Sequence, residues 1–211
     1  RNPVKVLIDA YNGTTSFYLV DKKDPLIRTY AKIFPGLFKD AKQMPAGFKE
    51  HWRYPEGLFR VQAEIYRTFH MTDPQVFYRR EDLWNIPREV YQQGQQEMSP
   101  YYVNMKIPGE TKTEYILLLP FTPTNKDNMI AWMAGRCDQP HYGELLVYNF
   151  TKERLIFGPS QIESRIDQNP DISKQLSLWN QRGSVVIRGN LLVIPIEHSL
   201  LYVEPLYLQA E

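Results

Sequence analysis

Asn12-Gly13, set between two alternating apolar runs, most constrains what this chain can fold into. Asn-Gly supplies both positive-φ residues of a type I′ turn, whose twist matches that of paired strands. Residues 4–11 and 14–20 are therefore predicted to pair as a hairpin. A two-residue loop puts Ile8 opposite Phe17 and Val6 opposite Leu19, sharing a face with Ala10 and Thr15. That face should pack inward through Val6, Ile8, Phe17 and Leu19, leaving Asp9 and Tyr11 on the other.

The hairpin pattern recurs. Residues 101–107 and 114–121 flank Pro108-Gly109, residues 144–150 precede 154–157, and residues 185–195 and 200–207 close the chain. Helices are predicted where Pro or an Asx residue opens a 3.6-residue apolar repeat. These begin at Asp24-Pro25, Met44-Pro45, Tyr54-Pro55 and Asp73-Pro74, the last reaching about Trp84. Residues 128–135, 160–166 and 172–179 also read as helical. The strands are joined by hairpins rather than helical crossovers, so the expected class is α+β: an antiparallel sheet built from hairpins with a helical layer. Residues 1–211 should form a single domain, with a possible lobe boundary in the polar stretch 91–99.

Composition excludes several functions. The chain has 25 basic and 24 acidic residues, and Arg79-Arg80 is followed at once by Glu81-Asp82, so there is no footprint for nucleic acid. No apolar run approaches the roughly 20 residues of a membrane span. The only cysteine, Cys137, cannot form an intrachain disulfide and is expected to be a small buried hydrophobe. His51, His70, His141 and His198 show no metal-ligand spacing. No metal and no cofactor are predicted, and no serine lies in a Gly-x-Ser-x-Gly elbow.

The candidate binding residues are therefore few. Asp9 beside Tyr11 offers a carboxylate among aromatics, suited to a sugar or a cation, or simply to capping a turn. Glu163 could act as an acid or base with Asp9 or Asp167. However, Ser160-Gln161-Ile162-Glu163 has the spacing of a capping box, which would occupy Glu163 at a helix start. Gln161, Arg165 and Gln168 share a polar helix face, and Trp179 with Arg182 and Arg188 could form an aromatic and basic patch.

The segments Ile8-Asp9-Ala10-Tyr11-Asn12-Gly13-Thr14, Arg53-Tyr54-Pro55-Glu56-Gly57-Leu58-Phe59 and Thr72-Asp73-Pro74-Gln75-Val76-Phe77-Tyr78 carry a family resemblance. So do Gly158-Pro159-Ser160-Gln161-Ile162-Glu163, Leu178-Trp179-Asn180-Gln181-Arg182-Gly183-Ser184 and Tyr202-Val203-Glu204-Pro205-Leu206-Tyr207-Leu208-Gln209. Together they resemble UPF0182, an uncharacterised family of cyanobacterial and actinobacterial membrane proteins. The resemblance implies a parent in the cell membrane with an N-terminal transmembrane block. The present chain would be part of its soluble region, excised from the larger protein and facing outside the cytoplasm. It carries over no catalytic residue. The expected role is a non-enzymatic binding or interaction module. Its partners would be the parent's own transmembrane region, another copy of the chain, or an envelope component at the C-terminal strand edge. The alternative is an envelope hydrolase or transferase acting on a glycan or lipid-linked substrate.

Overall fold

The computed structural model describes residues 2–92, 94–151, 155–181, 183–196 and 199–210. It is an α+β structure. In chain order, β1 (Val4–Ile8) and β2 (Thr15–Leu19) precede α1 (Pro25–Ile33) and β3 (Phe38–Asp40). Next come α2 (Glu56–Phe69), α3 (Pro74–Arg79), β4 (Trp84–Asn85), and the pair β5 (Arg88–Tyr91) and β6 (Gly94–Glu97). The central strands are β7 (Tyr101–Lys106), β8 (Thr113–Pro123), β9 (Ala131–Arg136) and β10 (Leu145–Asn149). Helices α4 (Pro159–Gln168) and α5 (Pro170–Trp179) lead to β11 (Ser184–Arg188), β12 (Leu192–Ile196), β13 (Ser199–Val203) and β14 (Leu206–Ala210).

Strand β8 is the spine. It pairs antiparallel with β7 on one side and β9 on the other, its far end meets β4, and β10 extends the sheet beyond β9. Alternate residues divide between two cores. Leu117, Leu119 and Phe121 join Ala131 and Met133 against Phe59 and Ala63 of α2. Ile116 and Leu118 join Trp132 and Ala134 on the opposite face, with Met105 and Ile107. The first core also contains Trp84 and Met98, so Phe59 and Trp84, before the 91–99 stretch, pack with Met98 inside it and Leu117 after it. That stretch is no open loop: β5 and β6 pair as a hairpin across it.

The segment expected as a helix at 128–135 is extended instead, strand β9 taking it over from Ala131. Met129, Ile130, Trp132 and Met133 have helical spacing, but all six residues of β9 are buried. A strand covered on both faces loses its polar alternation and imitates a buried helix in sequence. The predicted pairing of 144–150 with 154–157 also gives way, because β9 takes β10 as its partner. Arg154 lies outside the described residues, and 155–157 form no strand.

The first hairpin differs from expectation in register and in orientation. Ile8 faces Thr15 and Val6 faces Phe17, a shift of two residues that lengthens the loop. Asp9 takes over the turn: its carboxylate accepts from the Tyr11 amide at 2.8 Å, and the Gly13 amide donates to its carbonyl at 2.8 Å. Such an Asx turn competes with the tight Asn-Gly reversal. The inward face holds Tyr18, packed with Met44 and Trp52, while Val6 and Ile8 are 51 % and 64 % exposed. Phe17 instead meets Phe38 of β3, which adds to β2 in parallel.

The helix starts follow their caps. Asp24 accepts from the amides of Leu26 and Ile27, Asp73 from those of Gln75 and Val76, and Asn169 from those of Asp171 and Ile172. Helix α3 stops well short of Trp84, because Arg80 adopts a left-handed conformation at φ 55°. Residues 48–51 form only a 3₁₀ turn. In α2 the broad apolar stripe is half used: Phe59 and Ala63 are buried, whereas Val61, Ile65 and Phe69 are exposed.

The C-terminal strands do not complete the central sheet. They form one long two-stranded ribbon, β11 with β14 and β12 with β13, broken where Gly189 passes Pro205. Among the described residues, β14 pairs with β11 alone and is exposed along its length.

Gly135 is a sharp packing test. A Cβ there would lie 2.7 Å from Cγ of the buried Tyr54 ring, whereas Gly57 on α2 faces open space. Gly135→Ala should lower stability by about 2 kcal/mol, and Gly57→Ala should raise it by a few tenths, in chemical denaturation. A neutral Gly135→Ala would contradict the placement of Tyr54.

Candidate functional site

The sequence-predicted candidates lie in three places. Asp9 and Tyr11 are at the tip of the first hairpin, where the Asp9 carboxylate is engaged with the Tyr11 amide and Asn12 Nδ2 while Tyr11 is fully exposed. Gln161, Arg165 and Gln168 are on α4. Gln161 Oε1 accepts from the Gly158 amide at 3.1 Å, so it performs the capping that the spacing assigned to Glu163. The Arg165 guanidinium sits 4.5 Å from the centre of the Phe157 ring, and Gln168 is exposed in the last turn. Trp179 ends α5, and Arg182 lies outside the described residues.

Freed from capping, Glu163 enters a buried ionic network. It is 4 % exposed, and its Oε1 accepts from the Val90 amide on β5 at 2.6 Å. Burial, reinforced by the nearby carboxylates of Glu204 and Glu89, pushes its pKa up to about 7, against the opposing Val90 hydrogen bond and Arg188 charge. Glu89, 1 % exposed, accepts from Asn190 Nδ2 at 2.7 Å and the Leu191 amide at 2.9 Å. Arg188 grips Glu204 through both fork nitrogens, at 2.6 and 2.9 Å, and Asp167 of α4 at 2.7 Å. Those hydrogen bonds raise the Arg188 pKa further. The bidentate fork is a strong charge-assisted contact. The fork lies within the ribbon; the Arg188–Asp167 pair fastens α4 to it, and Glu89, bonded to Asn190 and Leu191, fastens β5. Glu163 and Glu89 line neither the clefts around Phe150 nor the one at Arg188. Nothing in the sequence pointed to Glu89 or Glu204, whose partners are far away along the chain.

A second acidic cluster surrounds Arg136. Among the described residues, Glu110, Glu114 and His141 are the group of metal-ligand type, with ligand atoms within 4.8 Å of one another. The buried Arg136 guanidinium already supplies the countercharge, donating to Glu114 at 2.8 Å and Glu110 at 3.2 Å. His141 Nδ1 lies 3.1 Å from Glu144. His51 is exposed, and His198 lies outside the described residues. Cys137 is buried, its sulfur accepts from the Tyr54 amide at 3.2 Å, and burial raises its pKa, which disfavours the thiolate a nucleophile requires.

The third feature is an apolar surface. Helix α1 buries only Ile27 and presents Leu26 (70 % exposed), Tyr30, Ile33 and Phe34 to solvent. Val61, Ile65 and Phe69 extend the exposed apolar surface on α2. The accessible surface is 14031 Å², against roughly 10,000 Å² for a compact monomer of this size.

The Glu163 network has a measurable pH signature. The unfolded chain releases this proton near 4.5, and the folded chain holds it to about 7. Between those values the folded state binds more protons, so stability falls as pH rises. Glu163→Gln cannot ionise and escapes that loss. Relative to wild type, it should gain roughly 2 kcal/mol between pH 4.5 and pH 8 in denaturation experiments. A wild-type protein that gains on the variant across this range would contradict the assignment.

Comparison with known proteins gives the relationship. The family described as "Uncharacterised protein family (UPF0182)" matches residues 1–179. A UPF0182 protein of Methanospirillum hungatei is 60 % identical over 210 residues, covering 100 % of this chain and 23 % of the relative. UPF0182 proteins of Trichodesmium erythraeum and Desulforamulus reducens are each 58 % identical over 211 residues, again covering the whole chain and 23 % of the relative. The chain thus spans about a quarter of the length of these relatives. No solved structure matches it. With the family profile matching most of its residues and close relatives matching all of them, this chain belongs to the UPF0182 family.

Proposed function

We propose that this region is a non-catalytic interaction module of a longer protein, and that the apolar outer surface of α1 and α2 packs against another segment of the same polypeptide. The observation that carries the reading is the unburied helical layer. Exposed apolar residues gathered on one face of a helix mark an interaction site, and the total surface far exceeds what a compact chain of this length exposes. Relatives four times as long supply ample further chain to cover it. The open edge of β14, with Tyr207 and Leu208 exposed, fits the same reading, since a further strand of the longer chain would pair there.

The family resemblance supports a setting in the cell membrane, with this region outside the cytoplasm and the parent's transmembrane segments as its partner. Among the described residues, no helix is long and apolar enough to cross a membrane. The hydrolase or transferase reading rests on the near-neutral carboxyl of Glu163, which is tied to the Val90 amide and away from the clefts around Phe150.

Site-directed thiol labelling tests the docked surface, because the native Cys137 is buried. Leu26→Cys and Ile65→Cys should react with a maleimide at least tenfold more slowly in the intact protein than in the isolated region. Equal rates in both would overturn the proposal.

A further inference from the structure

Two clefts meet at Phe150, Thr151 and Leu155, and they differ in chemistry. The narrower, about 450 Å³, is walled by Trp132, Tyr148, Phe157, Pro195, Leu200 and Tyr202. The wider, about 760 Å³, has Tyr66 and Trp84 beside Asp82, Lys126, Asn128 and Asn149, with His70 in its wall.

His70 defines what the wider cleft lacks. Its side chain is 9 % exposed and stacks on Trp84 with ring centres 3.9 Å apart. Nδ1 lies 3.0 Å from the Tyr66 carbonyl oxygen. A carbonyl only accepts, so Nδ1 carries the hydrogen, and it is in the neutral form of the ring that Nε2 presents a bare lone pair. Nε2 is buried and has no hydrogen-bond partner. The nearest charged group is Asp82 Oδ2 at 3.5 Å, itself an acceptor. The other Asp82 oxygen accepts from Trp84 Nε1 at 3.4 Å. With the ring neutral, two acceptors converge beside aromatic rings with no donor between them; Asp82 is largely exposed, but Nε2 is buried, and an unpaired buried acceptor is costly. Adjacent hydroxyls satisfy both at once, and the neighbouring amides of Asn128 and Asn149 add the mixed donors and acceptors that hydroxyls engage.

We propose that the joined clefts bind an amphiphile with a polyhydroxylated head and an apolar chain, in the manner of a glycolipid. The head lies in the wider cleft, with hydroxyls donating to His70 Nε2 and Asp82 Oδ2. The chain lies in the narrower one, against Trp132, Pro195 and Leu200. Both volumes are in the range of small-molecule sites, and the apolar lining with a few convergent polar groups is their usual makeup. This site is separate from the outer surface of α1 and α2, so its failure would leave the docking proposal standing.

The test is calorimetric titration with dodecyl maltoside below its micelle threshold, with maltose and dodecanoate as the head-only and chain-only probes. Dodecyl maltoside should bind saturably, one per chain, at least a hundredfold more tightly than either probe. His70→Phe keeps the stack on Trp84 and removes the acceptor, and Asp82→Asn changes a largely exposed residue. Each should weaken dodecyl maltoside about tenfold, the effect of one hydrogen bond, and leave dodecanoate unchanged. Leu200→Trp should fill the narrower cleft and weaken dodecyl maltoside at least tenfold. Maltose or dodecanoate binding as tightly as dodecyl maltoside would overturn the proposal. So would an absence of saturable binding, or full affinity in a folded Asp82→Asn variant.

Discussion

Burial of both faces of β8 is the constraint on which the rest of the structure depends. Leu117, Leu119 and Phe121 point into one core, and Ile116 and Leu118 into the other. Full burial of such a side chain stabilises by about 1.5–3 kcal/mol, so two apolar faces on one strand require two covering layers. Helix α2 provides one through Phe59 and Ala63. On the second face, Tyr101 of β7 fastens the ribbon by accepting from the Val193 amide and donating to its carbonyl, at 2.9 and 2.7 Å. The narrower cleft lies where this second cover closes incompletely over Trp132.

The buried ionic network has a different task. Removing one partner from such a cluster leaves an uncompensated charge and is strongly destabilising, while the intact cluster adds little net stability over apolar packing. What Glu89, Glu163 and Arg188 provide is position. They fix α4, β5 and the ribbon relative to one another: Glu163 to Val90 and Glu89 to Leu191 join residues 73 and 102 apart, and Arg188 to Asp167 ties α4 to the ribbon. They act alongside the Gln92 amide, which donates to the Arg188 carbonyl at 2.9 Å, and the Tyr101–Val193 pair in setting where the ribbon sits.

Local signals were legible in the sequence, and long-range ones were not. Asp24-Pro25 and Asp73-Pro74 marked helix starts because a cap acts within three residues. The hairpin of β7 and β8 was readable from Pro108-Gly109. Strand β9 was not, since two-sided burial erased its alternation. The register of the first hairpin was lost to Asp9, whose side chain competes for the turn amides. Glu163 stood out as a chemical group but was assigned to its local cap. Its hydrogen-bond partner, Val90, and its charged neighbours, Glu89, Glu204 and Arg188, come from distant segments. His70 was noted only as lacking a metal-ligand spacing. Its bare Nε2 emerges once α2 brings it against Trp84 and Asp82.

The central claim is that the exposed apolar helical layer is an internal interface of a longer protein. An experimental structure of the intact protein tests it most directly, through the area of the outer surface of α1 and α2 covered by the remaining polypeptide. The account predicts coverage of roughly 800 Å² on this side, the scale of a stable interface, centred on Leu26, Ile33 and Ile65. A structure in which those side chains face solvent in the intact protein would contradict it.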